Sequence, residues 1–587
     1  MSTYIGLCCS AHDSAIAIID KTGKIVFAEA GERSLQIKRA LNCIPDHYPF
    51  ISKLTNKYVD LSSDVLISKN WSSNHQRNIK MAKIGIDIIK PILFLSPLAE
   101  ITRKYEFMLS LQNHMFSFSG QNLKRVLEQK KEGYILIKER NFDHHLCHAS
   151  AGFYSSPFSN ADIAVIDGYG EMTSTAFFSA NDNKLKKIKS IPDSKNSLGF
   201  FYSYLCKACG FDPDMGEEWK VMGLAPYGRL NPKLYESLSK LLPVKKGAFT
   251  KPYLTFDIAD YDRLISESLQ NDEIKPEDIA FTGQKIFEDK MFLCLNELHA
   301  QTNSKNLVLV GGAALNSSCN GKIIQNTAYQ NFFVYNAPGD DGTAVGAAIL
   351  AFLSENHVSK LQRNLLSSPY LGNTISKNKL QKLTKNTPYN YDLKSNSEVI
   401  LALLISRGYI VGLVRGKSEF GPRSLGHRSI LADPRDSKIK DVINKKLKYR
   451  ENFRPFAPSI LHEYGPQIFE NYEYSPYMER TLKIRQEFQK KIPGVTHING
   501  TGRLQSVTRE NSPDYYKLIQ EFYKITGIPV LLNTSFNVAG KPIINDVDDI
   551  CAALYTTGLD AILIENILLT KKPIQNYLDE KFNCDLL

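Results

Sequence analysis

Long hydrophobic runs are absent. No stretch of the 587 residues reaches the ~18 apolar residues that cross a bilayer, and Met1 to Cys9 lacks the basic start and cleavage pattern of a signal peptide. No membrane partner is expected, and the sequence predicts a cytoplasmic protein. Patterned cysteines are scarce too: ten are scattered irregularly, partly inside apolar runs, which reads as reduced thiols and excludes a disulfide framework. Cys206-Lys207-Ala208-Cys209 has apolar, helix-like flanks and no second pair, so it is read as packing rather than as a redox or zinc motif. Acid is in deficit: 72 Lys+Arg against 61 Asp+Glu leave +11, a balance that favours anionic partners. The clearest basic cluster, over residues 415–454, is mixed with glycine and proline turns, which suits phosphate pockets better than nucleic acid. The chain is too long for one core and predicts two large units or about three to four lobes.

What is present is a histidine cluster with acidic strand ends downstream. In Asp143-His144-His145-Leu146-Cys147-His148, positions i and i+4 stack on one helix face, so His144 and His148 can grip one cation while His145 faces elsewhere. The apolar run Ile163-Ala164-Val165-Ile166 ends on Asp167, a third ligand. A second acidic strand end, Pro338-Gly339-Asp340-Asp341-Gly342, leads into a helix-like run from Thr343 to Phe352 and supplies a fourth, either Asp340 or Asp341. Two imidazoles and two carboxylates suit a divalent transition metal. A single histidine would more simply cap a helix or satisfy a carbonyl; three within five residues favour the metal.

Marking the turns exposes a repeat. Apolar Tyr4 to Cys9, a polar turn Ser10-Ala11-His12-Asp13, apolar Ser14 to Ile19, a second turn and apolar Ile25 to Ala28 predict three short antiparallel strands. The same grammar recurs from Ile163 through the turn Asp167-Gly168-Tyr169-Gly170-Glu171 to Ser174–Phe178. Two such copies, each followed by helices, predict the duplicated α/β scaffold of actin, sugar kinases and chaperone ATPases (ASKHA), with nucleotide between its lobes. Leu307-Val308-Leu309-Val310 running into Gly311-Gly312-Ala313-Ala314-Leu315-Asn316 is a glycine turn opening a helix, where backbone amides welcome phosphate or a nucleoside. The expected organisation is a first domain over residues 1–365, a polar linker over 366–398, and a separate α/β domain over 399–587.

Ordered blocks over nearly the whole chain carry a family resemblance. They are Ser10-Ala11-His12-Asp13-Ser14, His144 to Ala149, Lys220-Val221-Met222-Gly223-Leu224-Ala225-Pro226-Tyr227-Gly228, Gly311 to Asn316 and Pro338 to Gly346. Further on come Glu419 to Leu431, Phe453-Arg454-Pro455-Phe456-Ala457-Pro458 and Asn533-Thr534-Ser535-Phe536-Asn537. The sequence resembles the O-carbamoyltransferases of the nodulation and antibiotic-tailoring group. In these a domain similar to the tRNA threonylcarbamoyl-transfer protein (TsaD-like) precedes one similar to the threonylcarbamoyl-adenylate synthase (YrdC-like).

The resemblance implies that carbamoyl phosphate and ATP, with Mg possible beside the ATP, give carbamoyl adenylate in the second domain. The carbamoyl group then passes to a hydroxyl of a small metabolite or sugar in the first. It implies His144, His148, Asp167 and Asp340 as ligands of a metal, usually iron, and His12 and Lys38 as catalytic residues. Gly311, Gly312, Asn316 and Lys220 are implied for nucleotide. Arg423, Arg428, Lys448, Arg450, Arg454, His497, Arg503, Ser535 and Asn537 are implied for carbamoyl phosphate and ATP; guanidinium forks bind phosphate oxygens bidentately.

Several positions depart from the family pattern. His427 stands for a common Asn, Lys417 for Arg, Ser424 for Ala, Lys541 for an acid and Asn499 for Asp, and Arg39-Ala40 replaces His-Asp after Lys38. A kinase or ATPase on the same scaffold would not need the second domain, and a tRNA-binding relative would show salt-sensitive binding without phosphate release. The acceptor is not legible; within residues 42–138, Trp71, His75 and Arg77 are candidates to line its pocket. Oligomeric state is not legible either.

Overall fold

The computed structural model describes residues 2–93, 99–130, 136–171, 173–192, 197–240, 242, 244–245, 248–249 and 274–578. Contacts divide the chain into two compact units that are not continuous in sequence. The first comprises residues 1–199, 298–314 and 329–367; the second comprises 200–297, 315–328 and 368–587.

The first unit holds two five-stranded sheets. One is built from β1 (Thr3–Cys8), β2 (Ala15–Ile19), β3 (Ile25–Ala30), β4 (Val65–Lys69) and β5 (Ile137–Asn141), in the order β3-β2-β1-β4-β5. The other is built from β6 (Ala161–Gly170), β7 (Thr173–Asn181), β8 (Lys184–Pro192), β9 (Asn306–Val310) and β10 (Asn331–Val334), in the order β10-β9-β6-β7-β8. In each sheet an antiparallel meander extends on one side and two parallel strands on the other. The fold is therefore duplicated α/β, as the repeated turn grammar predicts. β1 and β2 are buried along their whole length and apolar on both faces.

Two glycines permit this packing. A Cβ on Gly346 would lie 1.8 Å from the Cys147 carbonyl oxygen, and one on Gly6 would lie 1.9 Å from that of Ala344. Helix Thr343–Leu353 thus seats directly on β1 and on helix His144–Ser155, which draws the chain around Asp340 and the histidine helix together.

The second unit carries a nine-stranded mixed sheet: β11 (Asn390–Asp392), β12 (Val411–Val414), β13 (Arg428–Ala432), β14 (Ala457–Leu461), β15 (Arg480–Lys483), β16 (Thr501–Val507), β17 (Val530–Ser535), β18 (Ala561–Ile564) and β19 (Ile567–Thr570). The order is β11-β19-β18-β12-β13-β17-β14-β16-β15. Residues 366–398, expected as a linker, carry helix Lys377–Asn386 and edge strand β11, which pairs with β19. This stretch is polar because its elements lie at the sheet edge. Cys206 and Cys209 are buried and unpaired. Among the described residues no helix is long and apolar enough to cross a membrane.

Candidate functional site

In the first unit, Asp143 caps helix His144–Ser155 by accepting the Leu146 amide at 2.8 Å, which sets where the i, i+4 histidines begin. His144 and His148 are buried and their Nε2 atoms lie 3.2 Å apart. Asp167 Oδ2 is 3.4 Å from each, and Asp340 Oδ1 is 3.7 Å from His144 Nε2 and 3.5 Å from His148 Nε2. All four donor atoms fall within 4.8 Å of one another. Ligands bound about 2.0–2.2 Å from one ion are separated by roughly 3–3.6 Å, so the donor set fits a single cation. Burial pushes both carboxyls up, but the histidines outweigh it: Asp167 sits well below the usual carboxylate range and Asp340 falls to about 2. Burial likewise pulls His148 down, yet its bonds to Asp167 and Asp340 carry it to about 9. Asp341 lies outside the cluster, its carboxyl raised to about 7 by burial and by the charges of Asp13 and Glu32.

A surrounding layer holds these ligands in place. Asp167 Oδ1 accepts the amides of Gly168 at 2.8 Å and Gly312 at 3.1 Å, which aims Oδ2 at the histidines. Gly311, at φ +91°, donates to the Pro338 carbonyl at 2.8 Å; a Cβ there would lie 2.4 Å from Ile166 O. The glycine turn expected to meet phosphate therefore spends both amides on the strands that end in ligands. Asn70 accepts the Cys9 amide, donates to Thr343 Oγ1 at 2.8 Å and sets its amide nitrogen 3.3 Å from His144 Nδ1. Glu171 accepts the His144 amide at 3.2 Å. Trp71 stacks on His144 with ring centroids 4.3 Å apart, and His75 stacks on Trp71 at 5.1 Å. Of the three candidate acceptor residues, these two are buried against the cluster, while Arg77 bonds Asn74 at the surface. His145 bonds Thr173 at 3.0 Å.

His12 lies in the turn after β1 and shares a 2.9 Å hydrogen bond between its Nδ1 and Asp13 Oδ2. Burial lowers its pKa, but Asp13 and then Asp340 reverse this and raise it. The turn is tied to the Lys38 segment: the Asp13 amide donates to Arg39 O and the Asn42 amide to Ala11 O, both at 2.7 Å. Asp13, Gln36, Arg39, Ala40 and Asn42 all have positive φ, a concentration of strain of the kind held at functional sites.

The second unit gathers cations. Lys448 ends a π-helical turn, Asn444–Lys448, and is buried. Its ammonium donates to the Ser535 carbonyl, to Asn537 Oδ1 at 2.8 Å and to Asn537 O at 3.0 Å. Burial, then Arg450 and Arg454, push its pKa well down. Burial takes Arg423 to about 10, burial and Arg454 take Arg450 to about 9, and burial takes Arg454 to about 10 despite Glu451. Arg503 is depressed by burial and then by Arg423, Arg450 and Arg454. Arg423, Arg450 and Arg454 thus all lie close enough to act on Arg503. Arg450 Nη2, Arg454 Nε, Arg503 Nε and His497 Nε2 are buried there without hydrogen-bond partners. Orphaned buried donors on cations are what an anion would satisfy. Burial and Arg503 hold His497 neutral, to about 3.

Arg428 is not part of this chamber. Fully buried, it gives its guanidinium to the carbonyls of Arg415, His427, Asn373 and Gly416 at 2.8–3.1 Å. Asn316 and Lys220 lie in the second unit, whereas Gly311 and Gly312 lie in the first. Asn316 is bonded to Gln284 and caps the Cys319 amide, and Lys220 bridges Glu217 at 2.6 Å and Glu451 at 2.8 Å. Sequence reasoning missed Asn70, Glu451 and Trp219, and gave Glu171 no role although it lies in the repeated polar turn. Trp219 adjoins a recognised motif; Asn70 and Glu451 carry no local signal.

Two family descriptions cover this chain, "Carbamoyltransferase N-terminus" over residues 3–349 and "Carbamoyltransferase C-terminus" over residues 402–571. The chain belongs to the carbamoyltransferase family. As a member it is a transferase enzyme. It is similar to nodulation protein NolNO of Sinorhizobium fredii, 32% identical over 96% of this chain and 79% of that protein. Nodulation protein NolO of Bradyrhizobium diazoefficiens is 33% identical over 73% of this chain and 79% of its own length. An uncharacterized protein of Methanocaldococcus jannaschii is 31% identical over 97% of this chain and all of its own. The histidine–aspartate cluster and the Gly311 turn fall within the N-terminal match, and Arg423 to Asn537 within the C-terminal one.

Proposed function

We propose that this carbamoyltransferase is an ATP-dependent O-carbamoyltransferase that makes carbamoyl adenylate and transfers its carbamoyl group to a hydroxyl of a small metabolite or sugar. The carrying observation is the group of buried N–H donors without partners, Arg450 Nη2, Arg454 Nε and Arg503 Nε, on cations beside Lys448. In this reading carbamoyl phosphate loses phosphate to water, and the carbamate oxygen displaces pyrophosphate from the α-phosphorus of ATP, with Mg on the phosphates. The arginines orient the phosphates and stabilise the charge that grows on the leaving pyrophosphate.

The acceptor hydroxyl then attacks the carbamoyl carbonyl, and AMP leaves. Asp13 on Nδ1 of His12 leaves Nε2 as the atom that takes the hydroxyl proton. His144, His148, Asp167 and Asp340 would hold a divalent metal, for which iron is the proposal. When bound, such an ion polarises an oxygen ligand. Gly168 and Gly312 keep Asp167 aimed at it. Transfer is assigned to residues 1–365 and activation to residues 399–587; of the first range, residues 200–297 and 315–328 belong to the second unit.

The test mixes protein, ATP and carbamoyl phosphate and follows pyrophosphate and AMP, then adds sugars, aminoglycosides and alkaloids as acceptors. Pyrophosphate release that requires carbamoyl phosphate is expected. ATP cleavage independent of carbamoyl phosphate would replace this reading with an ATPase, and salt-sensitive tRNA binding without pyrophosphate release with an RNA-binding protein.

A further inference from the structure

The loop that bears Arg450 and Arg454 does not stand on its own sheet alone. Residues 211–228, which fall within the N-terminal family match, pack against it inside the second unit. The Arg454 guanidinium carbon lies 3.7 Å from the centroid of the Trp219 ring. Lys220 ties Glu451 to Glu217. The Gly223 Cβ position is 3.6 Å from the Phe453 ring, and Tyr227 places its hydroxyl 3.5 Å from the Phe453 carbonyl. Phe211 meets Phe453 with centroids 6.1 Å apart. Contacts on Arg454, Glu451 and Phe453 thus come from one helix, Glu218–Leu224, and its flanks.

We propose that Trp219 is a positioning residue of the anion chamber: its indole face carries the Arg454 guanidinium, so that the phosphate-binding fork is completed by the N-terminal family region. The inference rests on the reading of the chamber as an anion site. A guanidinium carbon held 3.7 Å over the centre of an indole ring meets the ring through its face and leaves its N–H groups to point outward. Stacking therefore fixes the plane of the fork without consuming the donors that an oxyanion needs. Glu451, 3.4 Å from Arg454 Nη1, restrains one edge, and Nε remains buried without a partner. A leucine at 219 would fill space but offer no π face, leaving Arg454 free to swing toward Glu451.

Inorganic pyrophosphate is the probe, titrated calorimetrically into full-length wild type, Trp219→Phe and Trp219→Leu. Phe keeps a face for stacking, so its dissociation constant should stay within about 2–3-fold of wild type, whereas Leu should weaken binding about 5- to 30-fold. In the pyrophosphate-release assay Leu should raise KM for ATP with kcat changed less, a split that mere loss of packing would not give.

If Trp219→Leu fails to fold, a Trp71→Phe protein decides the matter, because it leaves Trp219 as the sole tryptophan of a chain that has two. Its emission should shift on adding pyrophosphate, and Arg454→Lys in that background should abolish the shift. Binding by Leu equal to wild type, or an unchanged emission at saturating pyrophosphate, overturns the positioning role. Wild type that does not bind pyrophosphate overturns the anion reading itself and the inference with it.

Discussion

The two candidate centres are built with opposite logic. In the first unit two carboxylates and two imidazoles converge on a point, and the groups that bond to them are satisfied, Asp167 Oδ1 by two amides and Asn70 by Cys9 and Thr343, although Trp71 Nε1, His75 Nε2 and His145 Nε2 nearby are buried without partners. In the second unit arginines and a lysine converge, and several of their donors have no partner. A small cation needs few ligands held rigidly, so the supporting bonds lie behind the site. An extended polyanion needs many donors, which must stay available, so the supporting contacts run along the faces and stems of the side chains. Phe456 under Arg450, at 4.7 Å, and Trp219 under Arg454 do this.

The sharpest way to break the comparison is to remove one member from each centre. His148→Ala should empty the first unit of metal, measured by elemental analysis, and lower transfer to acceptor by about 1,000-fold or more, with pyrophosphate release retained. Arg450→Ala should do the reverse: metal content intact and pyrophosphate release reduced by about 100-fold, from the loss of a charge-assisted fork to phosphate. If either variant lost both activities while still folded, the separation of labour would be wrong.

Smaller effects test the supporting layers. Asn70→Ala removes the group against His144 Nδ1 without touching a ligand, and should weaken metal affinity about 10- to 100-fold in competition with a chelator. Gly346→Ala should destabilise the first unit by about 1–3 kcal/mol, since its Cβ meets backbone rather than a yielding side chain. Thermal unfolding measures this, and unchanged stability would show that helix Thr343–Leu353 need not sit so close to Cys147.

The comparison also shows what a linear sequence carries. The histidine–aspartate cluster was legible because its members come from local patterns: an i, i+4 pair and strand-terminal acids. The duplicated sheet was legible because turns punctuate it at matching places. Arg428, expected among the phosphate binders, gives Nη1 and Nη2 to four carbonyls from scattered turns, and nothing in Gly426-His427-Arg428 announces that. Gly312 looked like a phosphate amide, yet what it meets is Asp167, a partner 145 residues away. Lys220 was assigned to nucleotide from its motif. Glu217, three residues before it, holds one side of its ammonium, and Glu451, from a distant segment of the second unit, holds the other; that discontinuous unit has no compositional border for a reader to find.

The smallest effect separates the chamber from other buried charge in the same unit. His427 stacks on Tyr370 with centroids 3.6 Å apart, donates from Nδ1 to Lys417 O at 2.8 Å, and is held to about pKa 4. Burial is the main cause; Glu419 opposes it, and Arg428 and Arg415 add to it. The unfolded ring titrates near 6.5, so between about pH 6.5 and 4 the unfolded chain binds a proton that the folded one refuses. The stabilising difference is complete above pH 6.5 and is lost as pH falls, by up to roughly 3 kcal/mol at the lower end. His427→Asn should lose the Tyr370 stack, about 1 kcal/mol at pH 7. The same variant should recover that deficit near pH 5, because it has no proton to exclude. Melting curves at the two pH values read the crossing directly. Pyrophosphate affinity at pH 7 should not change, since His427 faces Tyr370 and Lys417. A parallel loss of affinity would mean that the neutral histidine and the cationic chamber are one electrostatic system rather than two.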